Sequence, residues 1–109
     1  MNALATPDHP RRQLDDALGH PVRFSLTAAL AQAEEIDFAT LRDHLQVSDS
    51  VLSKQATALE SVGYVKIRKG YIGKRPRTWL KLTKEGERAW RNHLVALQEI
   101  AFPSGLLEP

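Results

Sequence analysis

The sequence predicts a mainly helical α+β domain in which four helices lead into one two-stranded β-hairpin and a long last helix. Three observations predict it. Apolar residues recur at a 3.6-residue period from Leu14 to Val62, at a period of 2 between Val65 and Leu82, and at the helical period again after Thr83. At 109 residues the chain has the size of one domain, and 42% hydrophobic with 26% charged residues is a composition that buries a core. That domain is expected over 10–101, between a polar, flexible N-terminal segment at 1–9 and a loose tail at 102–109.

The first element is short: Arg11 to Leu18 places Leu14, Ala17 and Leu18 at helical spacing, and Gly19 stops it. Pro21 suits the first turn of a second helix, because its missing N–H would find no partner there anyway. Val22, Leu26, Ala29 and Leu30 carry that stripe to about Ala33, with Phe24 off its centre and free to face the first or last helix. Ile36 to Phe38 is a short extended piece. Ala39 to Leu45 is a compact helix with Leu41 and Leu45 one turn apart, followed by the three-residue turn Gln46-Val47-Ser48. Ser48 or Asp49 caps the next helix by accepting from an orphan backbone N–H. That helix runs to about Val62, with Leu52, Ala56, Leu59 and Val62 inward, and Gly63 ends it. Two short helices joined so tightly, the second exposing small polar side chains, make a helix-turn-helix.

Beyond Gly63, Val65 and Ile67 alternate with Lys66 and Arg68, and Leu80 and Leu82 with Trp79 and Lys81, as in two half-buried strands. Lys69 to Arg77 between them reads as a glycine-punctuated basic loop, with Gly70 and Gly73 allowing a tight turn. A hairpin with a basic tip directly after a helix-turn-helix is a wing. Thr83 caps the final helix, whose dipole favours Glu85 and Glu87 in its first turn. Trp90, Leu94, Leu97 and Ala101 form its apolar stripe, with His93 and Ile100 at the edge, and Phe102-Pro103 ends it.

Charge is segregated along the chain. Ser61 to Lys84 holds eight basic residues and no acidic one, whereas the rest has seven basic against thirteen acidic residues. A local positive field on an acidic body points to a polyanionic partner, the duller reading being a lysine-rich edge that blunts strand pairing. The absence of cysteine excludes disulfides, thiolate metal sites and thiol catalysis. No apolar run approaches the ~20 residues of a membrane span, and no secretory signal opens the chain, so a cytoplasmic, nucleoid-associated protein without membrane contact is expected. His9, His20, His44 and His93 share no metal-ligand spacing, and neither metal nor cofactor is expected. Ser25 with His20 and Asp15 or Asp16 lacks an elbow, an oxyanion hole or a pocket, so no enzymatic activity is expected.

Four pieces arrive in order: His20-Pro21-x-Arg23, Ser50-x-x-Ser53-Lys54, Leu59-Glu60-x-x-Gly63-Tyr64-Val65, and Leu82-Thr83-x-x-Gly86. In this, Leu18 to Trp90 resembles the winged helix-turn-helix transcriptional regulators of the MarR and ArsR type, in particular their short members without an effector domain. The resemblance implies a dimeric DNA-binding regulator, repression being the expected direction. It places the Asp49 to Val62 helix in the major groove and the hairpin beside the minor groove. Any small-molecule effector, which the sequence does not identify, would bind between the recognition domain and the dimer helices. The chain departs from the family at Gln46, where glycine is frequent, and at Gln55-Ala56, where His-Leu is frequent. The cysteine motif of the metal-sensing members is absent.

These readings nominate Ser50, Ser53, Lys54, Gln55 and Thr57 as the DNA-reading face, against the alternative of an ordinary polar helix face. Lys69, Lys74, Arg75 and Arg77 are the wing contacts, with Pro76 stiffening the tip so that an arginine enters a narrow minor groove. Trp79 is expected in core or interface rather than stacked on a base. Leu14, Leu18, Trp90, Leu94, Leu97 and Ala101, on the first and last helices, are the expected homodimer interface. The competing function is a winged-helix module that docks an acidic protein. Ser50 to Ala58 carries Lys54 and no acidic residue, which favours double-stranded DNA.

Overall fold

The computed structural model describes residues 8–104; positions 1–7 of the expected flexible segment and 105–109 of the expected tail lie outside the described residues. The chain opens with two 3-10 turns, Pro10–Gln13 and Asp16–Leu18. Four α-helices follow, α1 (Pro21–Leu30), α2 (Phe38–Leu45), α3 (Asp49–Ser61) and α4 (Lys84–Ala101), with strands β1 (Ile36–Asp37), β2 (Val65–Ile72) and β3 (Arg75–Leu82). The strands form an antiparallel sheet in the order β1-β3-β2. Ile36 pairs with Leu80, and Val65 through Ile72 pair with Leu82 through Arg75. The architecture is the expected winged helix-turn-helix, with β1 as a third strand.

Each helix starts where a side chain satisfies an orphan N–H. His20 Nδ1 accepts from Val22 N at 3.1 Å, Asp37 from Thr40 N at 3.2 Å, Ser48 Oγ from Val51 N at 3.2 Å, and Thr83 Oγ1 from Gly86 N at 2.9 Å. The tight turn between α2 and α3 takes Gln46 into the left-handed region at φ 56°, ψ 48°. A residue with a β-carbon is held there because its N–H and that of Val47 reach back to the Asp43 and Arg42 carbonyls. The core gathers Leu18, Leu26, Leu30, Leu41, Leu52, Leu59 and Leu80, all fully buried, beneath the inner face of the sheet. Each contributes roughly 1.5–3 kcal/mol by leaving water.

Three expectations are corrected, and of the core-or-interface expectation for Trp79 the core is excluded. Arg11 to Leu18 is not one helix: Leu14 and Asp15 are extended, and Asp15 spends its carboxylate capping the second turn through Ala17 N at 2.9 Å. Asp therefore breaks the helix that Leu14, Ala17 and Leu18 suggested. Lys69 to Arg77 is not a loop, because the strands continue to Ile72 and from Arg75, leaving Gly73 (φ 62°) and Lys74 as a two-residue turn. Val62 lies past the end of α3 and is 45% exposed. Trp79 faces away from the core and lies, half-buried, under the Arg68 guanidinium, 4.0 Å from its ring centroid. Arg68 is fixed there by Glu35, with bonds of 2.8 and 3.2 Å.

Candidate nucleic-acid interface

α3 presents one polar face. At about 100° per residue, Ser50, Ser53, Lys54 and Thr57 fall in the i, i+3, i+4, i+7 pattern, and all four are exposed. The opposite face packs Leu52, Ala56 and Leu59 into the core. Asp49, the acidic residue at the helix start, is engaged: its Oδ1 accepts from Arg42 Nη1 at 2.9 Å, while Arg42 Nε reaches Asp43 at 2.9 Å. The bonds to Asp43 and Asp49 push the already high Arg42 pKa further up. Arg42 thus ties α2 to the first turn of α3.

Gln55 is not on this face. It is 8% exposed, and its Oε1 accepts from Arg23 Nη1 at 2.9 Å. Its place on the helix, about 140° round from Ser50 and nearer Leu59, is the signal that puts it inward.

The nominated wing cations are exposed but divided. Lys69 continues the strand face of Val65 and Ile67 and, with Ser53, Thr57, Glu60 and Thr78, lines the groove between α3 and the hairpin. Arg75 and Arg77 alternate with Thr78 and Leu80, which places them on the opposite face with Trp79, while Lys74 sits in the turn. Tyr71, two residues beyond Lys69 on the groove side and 70% exposed, is a candidate DNA-facing residue that charge counting overlooks. Strand alternation is the signal for it.

The nominated dimer residues also separate. Leu18 is in the core, and Trp90 is half-buried against Phe24 at 4.9 Å between ring centroids. Leu14 and Leu97 are half-buried, and Leu94 and Ala101 are exposed along one margin of α4. His93, expected at the stripe's edge, is buried: Phe24 packs against its ring, and its Nδ1 accepts from Asp15 N at 3.0 Å. Asp15 also accepts from the Tyr64 hydroxyl, so one carboxylate joins the N-terminal turns to the start of β2. That bond, then burial and the Asp15 charge, pushes the Tyr64 pKa up to about 12. Among the described residues no helix is long and apolar enough to cross a membrane.

Residues 22–101 match the family described as a winged helix DNA-binding domain. An uncharacterized protein of Methanocaldococcus jannaschii is 29% identical over 80 residues, which are 73% of this chain and 87% of that one. Among solved structures, the transcriptional regulator homologue of Pyrococcus horikoshii aligns with a TM-score of 0.79 at 25% identity, over 87% of this chain and 95% of that one. A MarR family transcriptional regulator from Streptomyces coelicolor, solved in complex with DNA, aligns with a TM-score of 0.64 at 27% identity over 87% of this chain. The alignment covers 63% of the Streptomyces chain, so the present chain spans less than two-thirds of that regulator.

Proposed function

This chain belongs to the winged helix DNA-binding domain family, and from that premise we propose that it is a homodimeric transcriptional repressor reading a two-fold symmetric duplex site. Ser50, Ser53, Lys54 and Thr57 enter the major groove, which is about 12 Å wide and admits an α-helix. Lys69, Lys74 and Arg75 hold phosphates, and Arg77 flanks the minor groove. The observation that carries this reading is the exposed polar face of α3 from Ser50 to Thr57, which holds Lys54 and no acidic residue, beside a hairpin whose two strands carry no acidic residue. Small hydroxyl and ammonium groups can meet base edges and phosphates there, while the charge supplies the salt-sensitive affinity of all duplex binding.

The dimer is proposed from Leu94, Leu97, Ala101 and Leu14, apolar side chains that α4 and the N-terminal turns leave partly open to water. Two-fold symmetry then sets half-sites about one helical turn apart, roughly 10 bp. Repression follows where such a site overlaps a promoter. Selection of bound sequences from a random duplex pool, followed by anisotropy titration of the winner and a scrambled control, tests the reading. A palindromic winner bound at least about 10³-fold more tightly is expected. Equal binding of winner and control would instead leave the fold as a protein-docking module.

A further inference from the structure

The exposed face of α3 can read bases only if the helix is held at a fixed angle, and its apolar underside does not fix one. Leu52, Ala56 and Leu59 bury without directional bonds, a kind of packing that tolerates small rotations. Arg42 ties the first turn of α3 to α2 through Asp49; among the described residues, one side-chain hydrogen bond reaches the middle of α3 on its inner side. Arg23, on the first turn of α1 and half-buried, donates from Nη1 to Gln55 Oε1 at 2.9 Å. Its Nε donates to the Ala17 carbonyl at 2.7 Å. A guanidinium is a rigid planar fork, so the two bonds fix the distance and angle between their acceptors.

Ala17 is itself held. Its N–H goes to Asp15 Oδ1 at 2.9 Å, and the Asp15 N–H goes to His93 on α4 at 3.0 Å. A continuous set of hydrogen bonds thus runs from α4, through the N-terminal turns and Arg23, to the underside of α3. Gln55 is flanked by Ser53, Lys54 and Thr57, so tilting or rotating it shifts all three. We infer that Arg23 is a positioning residue for sequence reading, coupling the N-terminal turns and α4 to the recognition helix through the Ala17 carbonyl and the Gln55 amide. This rests on the reading that α3 contacts bases.

The chemistry separates this role from simple stability. Base recognition demands placement to about 0.5 Å, whereas phosphates attract wing cations over a Debye length of about 8–10 Å. Losing the Arg23–Gln55 bond therefore weakens the selected duplex and leaves a scrambled one nearly unaffected.

The experiment compares wild type, Arg23→Met, Gln55→Met, the double Met variant and Gln55→Glu by anisotropy on both duplexes, with thermal unfolding of each. Each single Met variant is expected to lose about tenfold on the selected duplex, the scale of one good bidentate base pairing, and less than about twofold on the scrambled one. The double variant should be no weaker than the singles, because both remove one interaction. Gln55→Glu keeps an acceptor for the guanidinium and should stay within about twofold of wild type. Equal weakening on both duplexes, or single effects that multiply in the double variant, overturns the inference. If Arg23→Met does not fold, the two Gln55 variants decide, since only Met removes the acceptor. Wild type without sequence preference overturns the DNA reading itself. Preference that survives in the Met variants overturns this inference alone.

Discussion

Gly86, in the first turn of α4, lies directly against the backbone carbonyl of Tyr64 at the start of the hairpin. A β-carbon on Gly86 would stand 2.9 Å from the Tyr64 carbonyl carbon and nearer still to its oxygen. That oxygen also accepts from Thr83 N at 3.0 Å, and Thr83 Oγ1 donates to the Gly63 carbonyl at 2.6 Å. Gly86→Ala should gain about 1 kcal/mol of helix propensity, yet the clash with rigid backbone outweighs it. We expect a net loss of about 1–3 kcal/mol, read as a lower urea midpoint. A variant as stable as wild type would mean that α4 can lift from the sheet freely.

Leu94 is 38% exposed on the margin of α4, whereas neighbouring Trp90 is engaged with Phe24. Charge at Leu94 therefore tests association with little damage to the fold. If the proposed dimer forms through this margin, Leu94→Glu should leave a monomer in sedimentation where wild type is a dimer, while costing less than about 1 kcal/mol in unfolding of the isolated protomer. Trp90→Glu would confuse the two effects, because it also removes packing within the chain. An undiminished dimer in Leu94→Glu would place the interface elsewhere.

Burial keeps the His93 imidazole neutral: its pKa is lowered from the ordinary value, and the Asp15 charge opposes that only in part. The unfolded chain therefore takes up the proton first as pH falls, and stability, full above about 6.5, is lost progressively below it. Protonation also removes the lone pair that accepts from Asp15 N. The urea midpoint should fall as pH drops below about 6.5, a window above the carboxylate range. His93→Gln should flatten that fall while starting from a less stable state. If the variant loses as much with pH as wild type, His93 is not the titrating group.

The sequence discloses the order of elements because local rules agree with tertiary ones: Thr83 and Ser48 cap as their positions imply, and the period changes at Gly63. It misplaces what long-range pairing decides. The polar chemistry of Gln55 suggests the outer face, although its angular position favours the inner one, and only Arg23 on another helix explains why it is satisfied there. Lys69 to Arg77 resembles a loop because glycine and proline punctuate it, yet pairing across the hairpin carries strand geometry to the two-residue turn. His93 reads as peripheral because nothing near it in sequence announces Asp15, 78 residues away, as its partner.

Ser53, Lys54 and Thr57 are exposed on α3, and no hydrogen bond to another side chain holds them among the described residues. Replacing all three with alanine should leave the unfolding midpoint within about 0.5 kcal/mol of wild type. Preference for the selected duplex should fall by about 1–3 kcal/mol for each side chain that had bonded a base edge. Lys54 can act on phosphate instead, in which case its removal weakens every duplex alike. Repeating site selection with single variants separates these cases, and an unchanged selected sequence would move the reading surface off this face.

The wing divides its charge between the turn, the groove side and the outer face, so its cations should not contribute equally. Lys74 and Arg75 stand at the hairpin end, and neither strand of the hairpin carries an acidic residue. Arg77 lies nearer β1, and after the hydrogen bonds from Thr40 it helps hold the Asp37 carboxylate charged. Each cation that neutralises a phosphate releases about one condensed counterion, so removing it should lower the logarithmic salt slope by ~1. Lys74→Ala and Arg75→Ala should each show close to that change, and Arg77→Ala less, because Asp37 already takes part of its charge. The triple variant should bind selected and scrambled duplexes more weakly by similar factors, since phosphate contacts carry no sequence information. Its unfolding should barely move, because exposed charges contribute little to stability. Anisotropy across a salt series measures the slopes directly. A triple variant with the wild-type slope would detach the wing from DNA and leave α3 to bind alone.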